Sequence, residues 1–177
     1  MENNDNEKES LNENISSIFG VSTTGPLHIQ LGLPCQDSCA FVSFPNNVGI
    51  VAVSDGLGSA HKSDKGSSIA VNTVIETARC MISENIEFDL LDVVKKSVTF
   101  ARTALKNYAE EEKSILEDYA CTLIVVAFKK NKIAVAHIGD GAVIAKTPSK
   151  LLLASQPSES EYINEVIPLT TEDWEKH

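Results

Sequence analysis

Two Asp-Gly dipeptides each close an apolar run in this sequence: Asp55-Gly56 after VGIVAVS, and Asp140-Gly141 after IAVAHIG. Taken singly, such a pair is a turn signal, because the short carboxylate bonds nearby amides and glycine tolerates left-handed angles. Three features point to chemistry as well. A carboxylate that ends a strand apolar on both faces is costly to hold unless a partner or a cation neutralises it. Gly56 has no Cβ, so its own carbonyl can face the same spot. A third acid, Asp37, stands just before the run that should neighbour that strand. Oxygen ligands converging from three loops suit a hard cation such as Mg2+ or Mn2+. If those carboxylates point to different surfaces instead, the pairs are turns and nothing more.

Rival site chemistries fit less well. The stretch GLGSAHKSDKGS resembles a phosphate loop, but Lys65 precedes Gly66 and Ser67 where a P-loop needs the reverse order. Gly56 and Gly58 open a dinucleotide fingerprint whose third position is His61, and no βαβ unit follows. The cysteines, at 35, 39, 80 and 121, lack the paired spacing of a zinc site and read as scattered buried thiols.

The elements that must position these residues are legible from periodicity. Ser16 to Thr24 alternates weakly and is expected to form a first strand, broken at Gly25-Pro26, with a second turn at Gly32-Leu33-Pro34. Ser38–Phe44 is a short strand. Val48–Val53 reads as a central strand buried on both sides. Two helices follow. The first is capped by Ser63 or Asp64 and carries Ile69, Val71, Val74, Ile75, Ala78 and Ile82 as its apolar stripe. The second follows Asp89, with Leu91, Val94, Val98, Ala101, Leu105 and Tyr108 along its seam. Its end, Glu110-Glu111-Glu112, opposes the helix dipole. Tyr119–Phe128 is then one long strand, returned through Lys129-Lys130-Asn131 into Lys132–Ile138, and Ala142–Lys146 and Leu151–Ala154 extend a meander. Strands, then two helices, then a meander predict an α+β domain with the helices on one face of a sheet.

Charge and composition exclude several functions. The chain has 177 residues and a formal charge of −10, yet residues 1–14 hold five acids and one Lys, and residues 158–177 hold six acids and one Lys. The body between them, with 14 acids and 13 bases, is almost neutral. No basic stripe is present to engage a phosphate backbone, so nucleic acid is not an expected partner. No apolar run approaches the roughly 18 residues of a membrane span, and MENNDNEKES lacks the basic-then-apolar order of an export signal. A cytoplasmic protein is expected. Residues 1–15 form an acidic, Asn-rich lead-in expected to be disordered, and residues 16–177 a single domain.

The motifs taken in order resemble the metal-dependent type 2C (PPM-type) protein serine/threonine phosphatases. Gln36-Asp37, then Val51-Ala52-Val53-Ser54-Asp55-Gly56-Leu57-Gly58-Ser59, then Lys65-Gly66-Ser67 look like that family's opening motifs. Ala120-Cys121-Thr122-Leu123 resembles its small-x-Thr strand, and Ala136-His137-Ile138-Gly139-Asp140-Gly141 its Gly-Asp turn. Gly32-Leu33-Pro34-Cys35-Gln36-Asp37 and Leu169-Thr170-Thr171-Glu172-Asp173-Trp174 look like a bacterial subgroup.

The resemblance implies a four-layer α-β-β-α sandwich with two Mg2+ or Mn2+ ions at one sheet end. Asp55 would bridge both metals, Gly56 would add its carbonyl, Asp37 would hold metal-bound water, and Asp140 would take a weaker further ion. The reaction implied is hydrolysis of phosphoserine and phosphothreonine by activated water, without a cysteine nucleophile, and the implied partners are a phosphorylated protein and its cognate kinase. The family's phosphate-gripping Arg is missing from 28–36, leaving His28 and His61 as candidates for that task. The family's later Asp-Gly and final Asp-Asn also have no counterpart: after Asp140 the acids are Glu159, Glu161, Glu165, Glu172, Asp173 and Glu175. The domain is therefore expected to be incomplete at its C-terminal side and impaired in turnover, with a non-catalytic phosphatase-like binding or regulatory module as the alternative.

Overall fold

The computed structural model describes residues 17–84, 87–156, 166–172 and 174. Its elements, in chain order, are helix α1 (Pro26–Leu31), strands β1 (Ser38–Phe44) and β2 (Val48–Ser54), helices α2 (Ser63–Glu84) and α3 (Leu90–Glu111), and strands β3 (Leu123–Lys129), β4 (Lys132–Ile138), β5 (Val143–Lys146) and β6 (Leu151–Ser155). Strands β1-β2-β3-β4 pair antiparallel in that order, and β5-β6 form a separate hairpin. Helices α2 and α3 pack on each other and on the four-stranded sheet. The α+β class is as expected. Within the described residues there is one helical layer on one four-stranded sheet, with the β5-β6 hairpin beyond them.

Burial alternates along the sheet as a one-sided cover requires. Val48, Ile50 and Ala52 of β2 and Leu123, Val125 and Ala127 of β3 are buried against Val71, Val74, Val94, Val98 and Leu105 of the helices. Each fully buried aliphatic side chain of this kind contributes about 1.5–3 kcal/mol. The opposite face is more open: Val51 is half-buried and Val53 is 46% exposed. Strand β2 is central, as its apolar run indicated, but the helices cover only one of its faces.

Other elements depart from expectation for local reasons. Ser16 lies outside the described residues, and 17–25 carry no strand. Gly25-Pro26 opens a helix rather than only breaking a strand, because proline at the first helical position gives up an N–H that has no partner there anyway. Residues Leu116–Tyr119 form a turn of 3-10 helix, so the expected long strand from Tyr119 begins only at Leu123. Along α3, Val93 is buried and Leu91 is 47% exposed, a rotation of the seam at its first turn. Asp89 caps that helix as expected, accepting the Leu91 N–H at 2.8 Å. The acidic C-terminus of α3 closes through backbone geometry: Lys113 takes φ 54°, its N–H donates to the Glu110 carbonyl, and the Ser114 N–H donates to Ala109. Of the four free cysteines, Cys121 is buried, Cys35 and Cys39 are intermediate, and Cys80 is exposed. Cys80 falls two residues past the buried Ala78, on the side of α2 turned from the sheet. Among the described residues, no helix is long and apolar enough to cross a membrane.

His137 joins β4 to the β5-β6 hairpin through a 2.7 Å hydrogen bond between Nδ1 and the Ser155 hydroxyl. Burial lowers its pKa below the ordinary 6.5, against smaller upward effects of Asp140 and the Gly139 backbone. The folded form therefore prefers a neutral ring, and stability present above pH 6.5 is lost as pH falls, because the unfolded chain takes up the proton first. Denaturant melts from pH 8 to about pH 5 should show this loss in the parent and a flatter profile in His137→Gln. An equal pH slope in the two proteins would assign the loss to other groups.

Candidate metal centre

Asp55 stands at the end of β2, and its backbone is fixed from the β3 side. Its N–H donates to the Thr122 Oγ1 at 2.9 Å, the Thr122 N–H donates back to the Asp55 carbonyl at 2.8 Å, and the Ser54 hydroxyl donates to the Thr122 carbonyl at 2.5 Å. Beyond it, Gly56 bridges to Cys121, and its N–H donates to the Gln36 carbonyl at 3.2 Å. Ladder pairing between β1 and β2, with Ser38 opposite Ser54, brings the segment before β1 to the same sheet end. Asp37 thereby arrives beside Asp55.

The Asp37 segment is held by a second clamp, from α2. The fully buried Ser67 donates to the Gln36 carbonyl at 2.5 Å, and its hydroxyl lies 3.1 Å from that of Ser38. These contacts grip both neighbours of Asp37. The Ser22 hydroxyl adds a 2.7 Å bond to the Asp37 carbonyl. We expect Ser67→Ala to cost roughly 1 kcal/mol of stability and to weaken Mn2+ binding about tenfold, as loss of a ligand-orienting partner does. Titration calorimetry checks this, with Ser67→Thr expected to retain most of the affinity; an unchanged Mn2+ affinity in Ser67→Ala would show that the clamp does not govern Asp37.

The Asp37 and Asp55 carboxyl groups line one cleft and act on each other. Asp55 is pushed up to about 6 by partial burial, by a side-chain hydrogen bond with Asp37, by the Asp37 charge and by the Asp140 charge. Two carboxyls in contact cannot both be ionised cheaply; they share a proton or a cation. Asp140 lies close enough to act on Asp55, placed by the Gly139 turn, whose φ of 113° excludes most side chains and whose missing Cβ leaves room for Thr122. Cys121, one residue before Thr122, is inert by contrast: burial pushes its thiol up to about 11.

A cleft of about 430 Å³ opens over the pair, lined by His28, Cys35, Gln36, Asp37, Asp55 and Gly56 among others. Helix α1 supplies His28 and part of the wall. Of the candidates named from sequence, Asp37, Asp55, Gly56 and His28 come together. Asp140 is within electrostatic reach but outside the lining, and His61 is exposed and outside it. Ser67 and Gln36 had been visible only as parts of motifs. Nothing in the spacing of residues 36 and 67 announces that a hydroxyl from one would hold the carbonyl of the other.

Donor chemistry and charge in this cleft fit a hard divalent cation: carboxylates with no lysine or arginine in the lining to neutralise them. Among the described residues, no group of three or more His, Cys, Asp or Glu side chains forms a ready-made ion cage.

The described residues thus form an antiparallel sheet backed by two helices, with an aspartate pair at the sheet end, and comparison with known proteins gives the family. The model of the Protein phosphatase 2C family matches residues 24–177, and the chain belongs to that family. Serine/threonine-protein phosphatase 3 of Escherichia coli strain K12 is 31% identical over 161 residues, covering 86% of this chain and 62% of that protein. The chain thus spans about 62% of the length of that relative. Among solved structures, the Mycobacterium tuberculosis serine/threonine phosphatase PstP/Ppp is similar with a TM-score of 0.49 and 18% identity, over 68% of this chain and 55% of that one. The catalytic domain of PstP in complex with two manganese ions gives a TM-score of 0.49 and 21% identity, over 67% and 55%.

Proposed function

We propose that the cleft hydrolyses phosphoserine and phosphothreonine esters of a protein substrate, using Mg2+ or Mn2+ held by Asp37, Asp55, Gly56 and Asp140. The contact between the Asp37 and Asp55 carboxyls carries this reading. When bound, divalent ions at such a site supply Lewis acidity and an activated water. The chain's own part is to hold the two carboxylates in place through Thr122 and Ser67, and to present His28 from the cleft wall to a phosphoryl oxygen. His61 has no such position. The domain comprises residues 16–177 after a lead-in of 1–15, and acts in the cytoplasm on a phosphorylated protein, with a cognate kinase as its counterpart.

A second reading has its own observation. The described residues gather no cage of three metal-ligating side chains, which favours a phosphatase-like module that binds a phosphoprotein without cleaving it. Hydrolysis of p-nitrophenyl phosphate at millimolar Mn2+ supports the first reading. A phosphopeptide that binds in calorimetry and is recovered uncleaved after incubation with Mn2+ overturns it in favour of the second.

A further inference from the structure

At the sheet end opposite the aspartates, the β3-β4 turn carries Lys129, Lys130 and Lys132 within four positions of a chain that has only 15 basic residues. A groove of about 710 Å³ runs between this turn and the start of α3, with Phe88, Leu91 and Ile133 as apolar lining. Leu91 is 47% and Ile133 50% exposed. The Lys129 ammonium lies 4.5 Å from the Phe88 ring centroid, and Lys130 and Lys132 are exposed. Among the described residues none of the three is in an ion pair; the pairs present join Arg79 to Glu76 and Lys96 to Asp92. Two acids share the groove. Asp89 is committed to capping α3, and among the described lining residues Glu87 is left to oppose the three positive charges.

We propose that this groove is the docking site of the chain's own acidic N-terminal segment, residues 1–14. That segment holds Glu2, Asp5, Glu7, Glu9 and Glu13 against a single Lys8, and its Leu11 can meet the apolar lining. Its point of departure is at the same end of the sheet. The Ile18 side chain packs over Gly49 beside Phe128, with its Cδ1 2.9 Å from where a Cβ on Gly49 would stand. Phe128 is two residues before Lys130, whose N–H donates to the Asn47 carbonyl at 3.1 Å. Gly49 and Phe128 face away from the helices, so the segment must round the β3-β4 turn to enter the groove. Five extended residues back to Glu13 reach roughly 17 Å and nine back to Glu9 roughly 30 Å. The second acidic stretch, 158–165, departs from the other end: Ser155 is bonded to His137, near the last residue of β4. Like charges clustered on the turn and opposite charges tethered nearby give a high effective concentration, so weak individual ion pairs suffice.

Carbodiimide cross-linking of the full chain, followed by peptide mass mapping, tests this independently of any phosphatase activity. The expected result is amide links from Glu7, Glu9 or Glu13 to Lys130 or Lys132. Raising the salt from 0.01 M to 1 M shortens the Debye length from about 30 Å to about 3 Å and should cut their yield at least about tenfold. In the 15N amide spectrum, deleting residues 1–14 should shift residues 88–91 and 129–134 and leave those around Asp55 in place. Links spread evenly over Lys62, Lys95, Lys106 and Lys150 would overturn the proposal. So would hairpin links that come only from 158–165, or, in a mixture of 14N and 15N protein, links that join only different molecules.

Discussion

Asp55→Ala is expected to abolish Mn2+-dependent phosphate ester hydrolysis and to weaken Mn2+ binding by at least about 100-fold, since losing even a partner that merely orients a metal ligand costs about 10–100-fold. Asp55 is the carboxyl that meets Asp37 and feels Asp140, so its removal takes away the centre of the negative cluster. The same electrostatics give this variant a feature that an ordinary destabilising change would lack. Without metal the clustered carboxylates repel one another, and Asp55→Ala relieves that repulsion. Because the residue is solvent-exposed, the gain is about 1 kcal/mol or less, and the metal-free variant should melt at or slightly above the parent. Adding Mn2+ at about 100 times the parent's dissociation constant should raise parent stability by about 2.7 kcal/mol and the variant's by about 0.4 kcal/mol or less. Thermal melts with and without Mn2+ read both effects. Undiminished stabilisation of Asp55→Ala by Mn2+ would place the cation elsewhere and sink the proposed centre.

Gly66→Ala should be strongly damaging for a single added methyl. A Cβ at Gly66 would press into the Tyr119 backbone carbonyl, far inside contact distance, where no flexible side-chain end can give way. Tyr119 cannot yield either. It is fully buried, its ring meets Tyr108 edge-on at 5.6 Å between centroids, and its hydroxyl accepts from the Lys62 ammonium at 3.2 Å. Overpacking typically costs about 1–3 kcal/mol, and a clash with unyielding backbone puts this one at the upper end, about 3 kcal/mol. In a chain of this size that corresponds to a melting temperature lower by roughly 6–12 °C. The effect should reach the cleft, because Gly66 precedes Ser67, the residue that grips the Asp37 segment. Mn2+ affinity should therefore fall with stability. A Gly66→Ala protein that melts within about 1 °C of the parent would show that α2 can slide away from Tyr119, and that the contact does not register the helix against the site.

Much of this architecture was legible in one dimension. Helix α3 announced itself through apolar spacing and the capping Asp89, both of which act over four residues or fewer. The β3-β4 hairpin followed from a polar Lys-Asn turn between two apolar runs. Misreadings arose where local pattern is ambiguous. Tyr119 looks like strand because it is aromatic and precedes an apolar run, yet it ends a 3-10 turn whose burial against Gly66 and Tyr108 outweighs β propensity. The run VGIVAV looks buried on both faces because composition cannot say which neighbours will cover it. Within the described residues the two helices settle that, on one face.

Read alone, the chain established its α+β class, its helix pair and the three aspartates worth watching, since these depend on residue type and on neighbours two to four positions apart. The meeting of Asp37 with Asp55 belongs to the tertiary structure, as do the Thr122 and Ser67 clamps, the admission of His28 and the exclusion of His61 from the cleft. Each depends on contacts such as Asp55 to Thr122, 67 positions apart, or Ser67 to Gln36, 31 apart. Strand register and helix docking create those contacts together, through burial of a shared core, and no local spacing encodes them.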